Sequence, residues 1–267
     1  MTSIVANAFN RFEDMIQTQT DPRVEKWVLM KPYPLFAIVS VYLYVVLVAG
    51  PRYMKGKTPY NINRIIQLYN IGQIISCIYL AYLITNSFLF DSIKIGCDGF
   101  GVSYDPQQMK IVSIMWWTLL LKLAELVETV FFILRKKYSQ VTFLHLYHHV
   151  STLIFMWIGT KTSPGGTMAF PVMLNCVVHT FMYTYYLLTS LGPQWQNRIG
   201  KYKRYLTVFQ MVQFTIILIH ISYVLNSSCR VPSLLVYAFL PNLILVFYLF
   251  YDFYRDVYIA KSQLNTH

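Results

Sequence analysis

Seven stretches of this chain, at residues 35–50, 65–89, 111–134, 141–159, 169–191, 205–225 and 234–254, run with few or no charges. A helix of roughly 20 apolar residues is long enough to cross the hydrocarbon core of a bilayer, so each stretch reads as a membrane helix. The first is the shortest. Composition points the same way: of 267 residues, 56% are hydrophobic and only 12% charged, too polar-poor for a soluble surface. The expected fold is an all-α membrane protein with seven transmembrane helices. One domain accounts for residues 1–267: an N-terminal segment (1–34), a seven-helix core (35–254) and a tail (255–267). The first twenty residues hold Arg11, Glu13 and Asp14 and no apolar run, so no cleavable signal peptide is expected. Loops are short, and no internal repeat or low-complexity tract stands out.

Basic residues between the helices set the expected orientation. Taken on alternate sides, thirteen fall on one face, among them Arg52, Lys55, Lys57 and Arg64, then Arg135, Lys136 and Lys137, then Arg198, Lys201, Lys203 and Arg204. Eight fall on the other. The richer face should be cytosolic, with the N-terminus lumenal and the C-terminus cytosolic. Its three interhelical loops contain no Asp or Glu, whereas the first loop of the opposite face has Asp91, Asp98 and Asp105. The net charge of +11 is therefore concentrated on one side. Topology and anionic lipid explain that in one reading; a phosphate-bearing substrate arriving from the cytosol explains it in another. Of four cysteines, Cys77 and Cys176 fall inside helices and read as plain buried thiols. Cys97 and Cys229 fall in two outer loops, and could pair if that side is an oxidising lumen and the loops are adjacent.

Ionisable groups at membrane depth are costly, and they usually face a cavity or one another. In "FLHLYHHV", His145, His148 and His149 stand at i, i+3 and i+4 on one helical face. Three imidazoles make a poor apolar core. On the next helix Asn175, His179, Met182, Tyr183 and Tyr186 form a polar stripe. "KLAELVET" places Lys122, Glu125 and Glu128 at steps of three, and "TVFQMVQF" places Thr207, Gln210 and Gln213 on one side, with His220 further along. Taken singly, these have plainer readings: an intrahelical ion pair, hydrogen-bond glue between helices, a packing histidine, an interfacial tyrosine belt. Four consecutive helices aiming polar residues along one face point instead to a shared internal cavity.

Two chemistries suit clustered membrane histidines. A di-iron site, as in membrane desaturases and hydroxylases, uses more histidines than the five in these helices; a zinc site needs three ligands and a water, which His145, His148, His149 and His179 could supply. The alternative is covalent. A neutral imidazole is a competent nucleophile and proton shuttle, and burial favours that form. Attack on a thioester would give an acyl-imidazole sheltered from water, with the basic mouth holding the phosphates of a coenzyme A thioester.

"KLAELVET", "FLHLYHH", "HTFMYTYY" and "TVFQMVQF" resemble, in order and on consecutive helices, the signature boxes of the membrane fatty acid elongase (ELO) family. The seven-helix layout and "DPRV" (residues 21–24) fit as well. The resemblance implies a condensing enzyme of the endoplasmic reticulum that joins malonyl-CoA to a long-chain acyl-CoA and releases CO2 and CoA. It implies six helices in a barrel around a closed acyl tunnel with the seventh packed outside, and no metal or redox cofactor. Carried over by position, His148 is the acyl-accepting nucleophile, shaped by His145 and His149, and His179 is its acid or base partner, supported by Asn175. Lys122, Arg135, Lys136 and Lys137 would bind CoA phosphates, and Glu125, Tyr183, Tyr186, Gln210 and Gln213 would line the site. Cys97 and Cys229 resemble a lumenal disulfide of relatives. The implied partners are the two CoA substrates, membrane lipids, and the reductase and dehydratase of the same cycle; a homodimer stays open.

Two features depart from the family pattern. Glu128 stands before Thr129 where the family usually has Asp-Thr, and the C-terminus "AKSQLNTH" has no dilysine-type retrieval signal. A lipid carrier with a histidine proton relay is the rival of a different class, but it should show inverted-repeat hydropathy and matched helix breaks. Here the prolines sit mostly at helix ends, with Pro171 and Pro241 inside.

Overall fold

The computed structural model describes residues 18–90, 102–226 and 233–260, and these contain helices and no strand. Cys97 and Cys229 lie outside the described residues. Proline and threonine punctuate the helix starts. Helix α1 (Pro32–Met54) begins on Pro32, where a missing N–H costs nothing. It passes through a π-helical turn (Val45–Ala49) just before Gly50 and Pro51. Pro51 removes one amide donor from the ladder, and Gly50 allows close approach: a Cβ there would stand 2.9 Å from Ile133 Cγ2. Helix α2 (Asn63–Phe90) follows, with 28 residues and therefore a length of about 42 Å. The third apolar window is two helices, α3 (Pro106–Glu125) and α4 (Val127–Leu134), separated where the Leu126 amide bonds back to Leu123 at 3.2 Å. Helix α5 (Phe143–Thr162) is capped by Thr142, whose hydroxyl accepts from the His145 amide. Then come α6 (Gly166–Ser190), the short α7 (Pro193–Ile199), α8 (Lys203–Asn226) and α9 (Ser233–Tyr254), which runs on into a π-helical turn (Arg255–Ala260).

Helices thus occur over all seven windows. Among the described residues, four spans are long and apolar enough on their own to cross a membrane: Pro32–Met54, Asn63–Leu89, Pro193–Leu225 and Tyr237–Ala260. Only 17 to 33% of each is buried, so their apolar surface faces outward, as a bilayer would require. The polar helices α3, α5 and α6 are the more enclosed ones, with 10 of the 20 residues of α5 buried. The chain is therefore an all-α, multi-pass membrane protein. Its packing order is α2 beside α3, α3 beside α5, α5 beside α9, α9 beside α8, α8 beside α6, and α6 back against α2, while α1 packs on α4.

The two ends of the bundle differ. At the basic end Tyr60 N–H reaches Leu134 O (3.0 Å), Gln67 Nε2 reaches Ser190 O (3.2 Å), and Arg204 Nε reaches the Tyr254 hydroxyl (2.8 Å). At the other end the segment 18–31 folds across the helices as a strap. Val24 and Met30 are fully buried, and Asp21 N–H donates to Lys161 O at 2.8 Å. Asp21 also pairs with Arg23, and Arg23 donates to Ser103 O. Trp157 and Trp116 donate their indole N–H groups to Leu29 O (2.8 Å) and Val28 O (3.1 Å). On α6, Pro171 has no N–H to give the Thr167 carbonyl four residues back; His220 Nε2, 3.3 Å away, takes that place. His220 is thus an interhelical tie between α6 and α8, the plainer of its two sequence readings.

Candidate active site

Helices α3 and α4 form the spine of the site. Steps of three place Lys122, Glu125 and Glu128 on one face, and that face meets α6 on one side and α5 on the other. Lys122 Nζ donates to both Glu125 oxygens, each at 2.9 Å, and to Asn175 Oδ1 at 2.7 Å. An ammonium has three protons, and here each has an acceptor. Lys122 is thus buried in an ion pair, the plainer of its sequence readings, with Asn175 as a further acceptor. The carboxylate of Glu125 then reaches His179, with Oε1 3.1 Å from Nδ1. That contact is close but out of line, and His179 Nδ1 makes no aligned hydrogen bond.

The second carboxylate serves α5. Glu128 Oε2 lies 3.8 Å from His149 Nε2, in electrostatic contact beyond hydrogen-bond range. His145 is held more firmly: its Nε2 is 2.8 Å from Thr129 Oγ1, which is 2.8 Å from the Tyr42 hydroxyl of α1. The His145 and His149 rings lie against each other, tilted by 56°, with centroids 4.3 Å apart. His148 differs from all of these. No hydrogen bond to its ring is found among the described residues; it stands edge-on to Phe250 and Phe214, at 5.7 and 6.5 Å. It remains within electrostatic reach of Lys122, His179 and Glu125. His148 sits where two apolar clusters meet, the larger built mainly on α1 to α6 and the smaller on Phe214, Ile217, Leu243 and Val246 of α8 and α9.

The remaining sequence candidates divide. Tyr183 is fully buried, 5.7 Å from the His179 ring and 6.1 Å from Tyr186. Gln213 is buried, and Gln210 is half-buried with its amide 3.5 Å from Met182 Sδ. Arg135, Lys136 and Lys137 are not in the network; they form the turn beyond α4 at the basic end, with Lys136 at φ 53°. Partial burial, and then the neighbouring Arg135 guanidinium, lower the Lys137 ammonium pKa. The structure also adds residues that sequence reasoning passed over. Tyr42 is one. Tyr69, Asn70 and Gln73 of α2 are others, with Tyr69 donating to Ala124 O at 3.4 Å and standing 6.0 Å from Tyr183. Their only signal was two uncharged amides one turn apart in an apolar helix. Among the described residues no three His, Cys, Asp or Glu side chains converge as a metal-ligand set. What the arrangement provides is a half-buried imidazole, His148, with neither a ring hydrogen bond nor a facing carboxylate among the described residues, beside a buried charged acid–base network.

Residues 27–266 match the profile of the ELO family, described as the GNS1/SUR4 family. The chain is 32% identical over 256 residues to very long chain fatty acid elongase 7 of Drosophila melanogaster, covering 95% of this chain and 78% of that protein. It is 34% identical over 275 residues to very long chain fatty acid elongase 4 of Mus musculus, covering 98% and 85%. With elongase 7 of Rattus norvegicus it shares 37% identity over 212 residues, covering 79% and 75%. A match across nearly the whole chain, with relatives at 32 to 37% identity, places this protein in the ELO family.

Proposed function

We propose that this protein is a fatty acid elongase that condenses malonyl-CoA with a long-chain acyl-CoA. The observation that carries the reading is the state of His148: of the four clustered imidazoles, His145 is hydrogen-bonded, His149 and His179 each face a carboxylate, and His148 alone has neither a ring hydrogen bond nor a facing carboxylate among the described residues. A nucleophile needs an unencumbered lone pair.

In the proposed cycle a His148 ring nitrogen attacks the thioester carbonyl, the C–S bond breaks, and CoA leaves as the thiol after taking a proton. His179, next to Glu125, is placed to move that proton. Malonyl-CoA then loses CO2, and the resulting enolate attacks the acyl-imidazole carbon. The C–N bond breaks, His148 is restored, and a 3-oxoacyl-CoA two carbons longer departs. Lys122 and Asn175 position Glu125, and the fixed charges favour the enolate over bulk water. Arg135, Lys136 and Lys137 bind CoA phosphates at the basic end, which is cytosolic in an endoplasmic reticulum membrane.

The closed packing order of α2, α3, α5, α9, α8 and α6, with α1 outside, supports a six-helix barrel around the acyl tunnel. Apolar side chains of α8 and α9 next to His148 suit the acyl chain. The test is an assay in microsomes with labelled malonyl-CoA across a series of acyl-CoA lengths. Label should appear in products two carbons longer with wild-type protein and fall to background with His148→Ala; background label in both would refute the proposal.

A further inference from the structure

Helix α2 is among the apolar spans, yet the stripe it turns inward is partly polar. Asn70, Gln73, Cys77, Leu80, Ile84 and Ser87 follow one another at steps of three and four, and all are buried. Two contacts fix its register against antiparallel α6, Gln67 with Ser190 and Thr85 with Met173. Gln73 therefore lies level with the turn of α6 that carries His179 and Tyr183. Tyr69, one residue before Asn70, touches Ala124 beside Glu125. Asn70 and Gln73 thus border the network from the side that no sequence motif marked.

One polar atom of each amide is not satisfied. Asn70 is 2% exposed and Gln73 4%, yet Asn70 Nδ2 and Gln73 Oε1 have no hydrogen-bond partner among the described residues. The buried Tyr183 hydroxyl, although Tyr69 approaches it, also lacks an aligned bond. Buried groups of this kind are nearly always paired, so an orphan donor and an orphan acceptor one turn apart call for a ligand. The pairing also selects the ligand. A carboxylate or phosphate offers only acceptors and would be repelled by Gln73 Oε1. A secondary amide offers both a carbonyl and an N–H.

We propose that Asn70 and Gln73 bind the pantetheine arm of the CoA substrates, the Asn70 amide donating to an amide carbonyl and Gln73 Oε1 accepting from an amide N–H. This rests on the CoA-thioester reading above. Asn70 is seven residues into α2 from its basic end, between the basic turn and the histidines, where such an arm must pass. Both substrates carry the same arm, so one amide pair serves both half-reactions.

The test compares purified wild type with Asn70→Leu and Gln73→Leu, using acyl-CoA, malonyl-CoA, an acyl N-acetylcysteamine thioester that keeps one amide, and the matching ethanethiol thioester that has none. Each variant should raise KM for both CoA substrates about tenfold, the scale of one lost hydrogen bond, with kcat changed less. The preference for the amide-bearing thioester should shrink toward one. Melting temperature without substrate should stay level or rise, because an unpaired buried amide has been removed. KM values within twofold of wild type, an undiminished preference for the amide, or activity losses that track a fall in melting temperature would each overturn the inference. If wild type turned over no thioester at all, the condensing reading itself would fall.

Discussion

Lys122 and Lys161 are both buried ammonium groups on enclosed helices, 7% and 5% exposed, and they stand at opposite ends of the bundle's chemistry. Lys122 bonds to a carboxylate and an amide, and through Glu125 it connects to His179. Lys161 donates to the Met30 carbonyl at 2.8 Å and lies 5.6 Å from the Trp157 ring, whose indole bonds to Leu29. Burial is similar, but the partners are not. One lysine is wired into a titratable network with a free imidazole at its edge; the other helps pin a backbone strap across the bundle. A buried charge marks a place where the fold has spent stability, and only its partners show whether the purpose is chemistry or closure.

The comparison breaks most sharply at Lys122. Lys122→Met leaves the Glu125 carboxylate buried without its cation, which should cost about 3–5 kcal/mol and abolish elongation. Thermal unfolding in detergent together with the elongation assay checks this, and adding Glu125→Gln should recover folding but not turnover. Lys161→Met should behave in the opposite way. Loss of its hydrogen bond should lower stability by about 1–3 kcal/mol, while turnover stays within a few-fold of wild type and the strap becomes accessible to protease. Loss of turnover without loss of stability would show that the two lysines are not divided as described.

Smaller effects sharpen the picture. Thr129→Val removes the hydroxyl between Tyr42 and His145, and kcat should fall about tenfold with only a minor change in melting temperature. Replacing Arg135, Lys136 and Lys137 with Gln should leave kcat unchanged and raise KM for CoA substrates. That effect should diminish as salt rises, since exposed charges are screened; it is read from KM at low and high ionic strength.

Much of this was visible in the sequence, for identifiable reasons. Helical periodicity alone put His145, His148 and His149 on one face, and the step of three put Glu125 within reach of Lys122. What periodicity cannot show is a third partner from another helix, so Asn175 as an acceptor for Lys122 was not foreseen. Asn70 and Gln73 were missed because two uncharged amides barely lower the apolarity of a 28-residue helix. The break at Leu126 carries neither proline nor glycine. In the strap at residues 18–31 only "DPRV" stood out, since the rest of its anchorage comes from backbone carbonyls that carry no residue signature.

The central claim is that His148 carries the acyl group. Intact-mass measurement of purified protein incubated with acyl-CoA alone should show a gain of one acyl group that is absent in His148→Ala and discharged by malonyl-CoA. Wild-type protein that elongates fully while its mass stays unmodified, or an adduct that persists in His148→Ala, would contradict it.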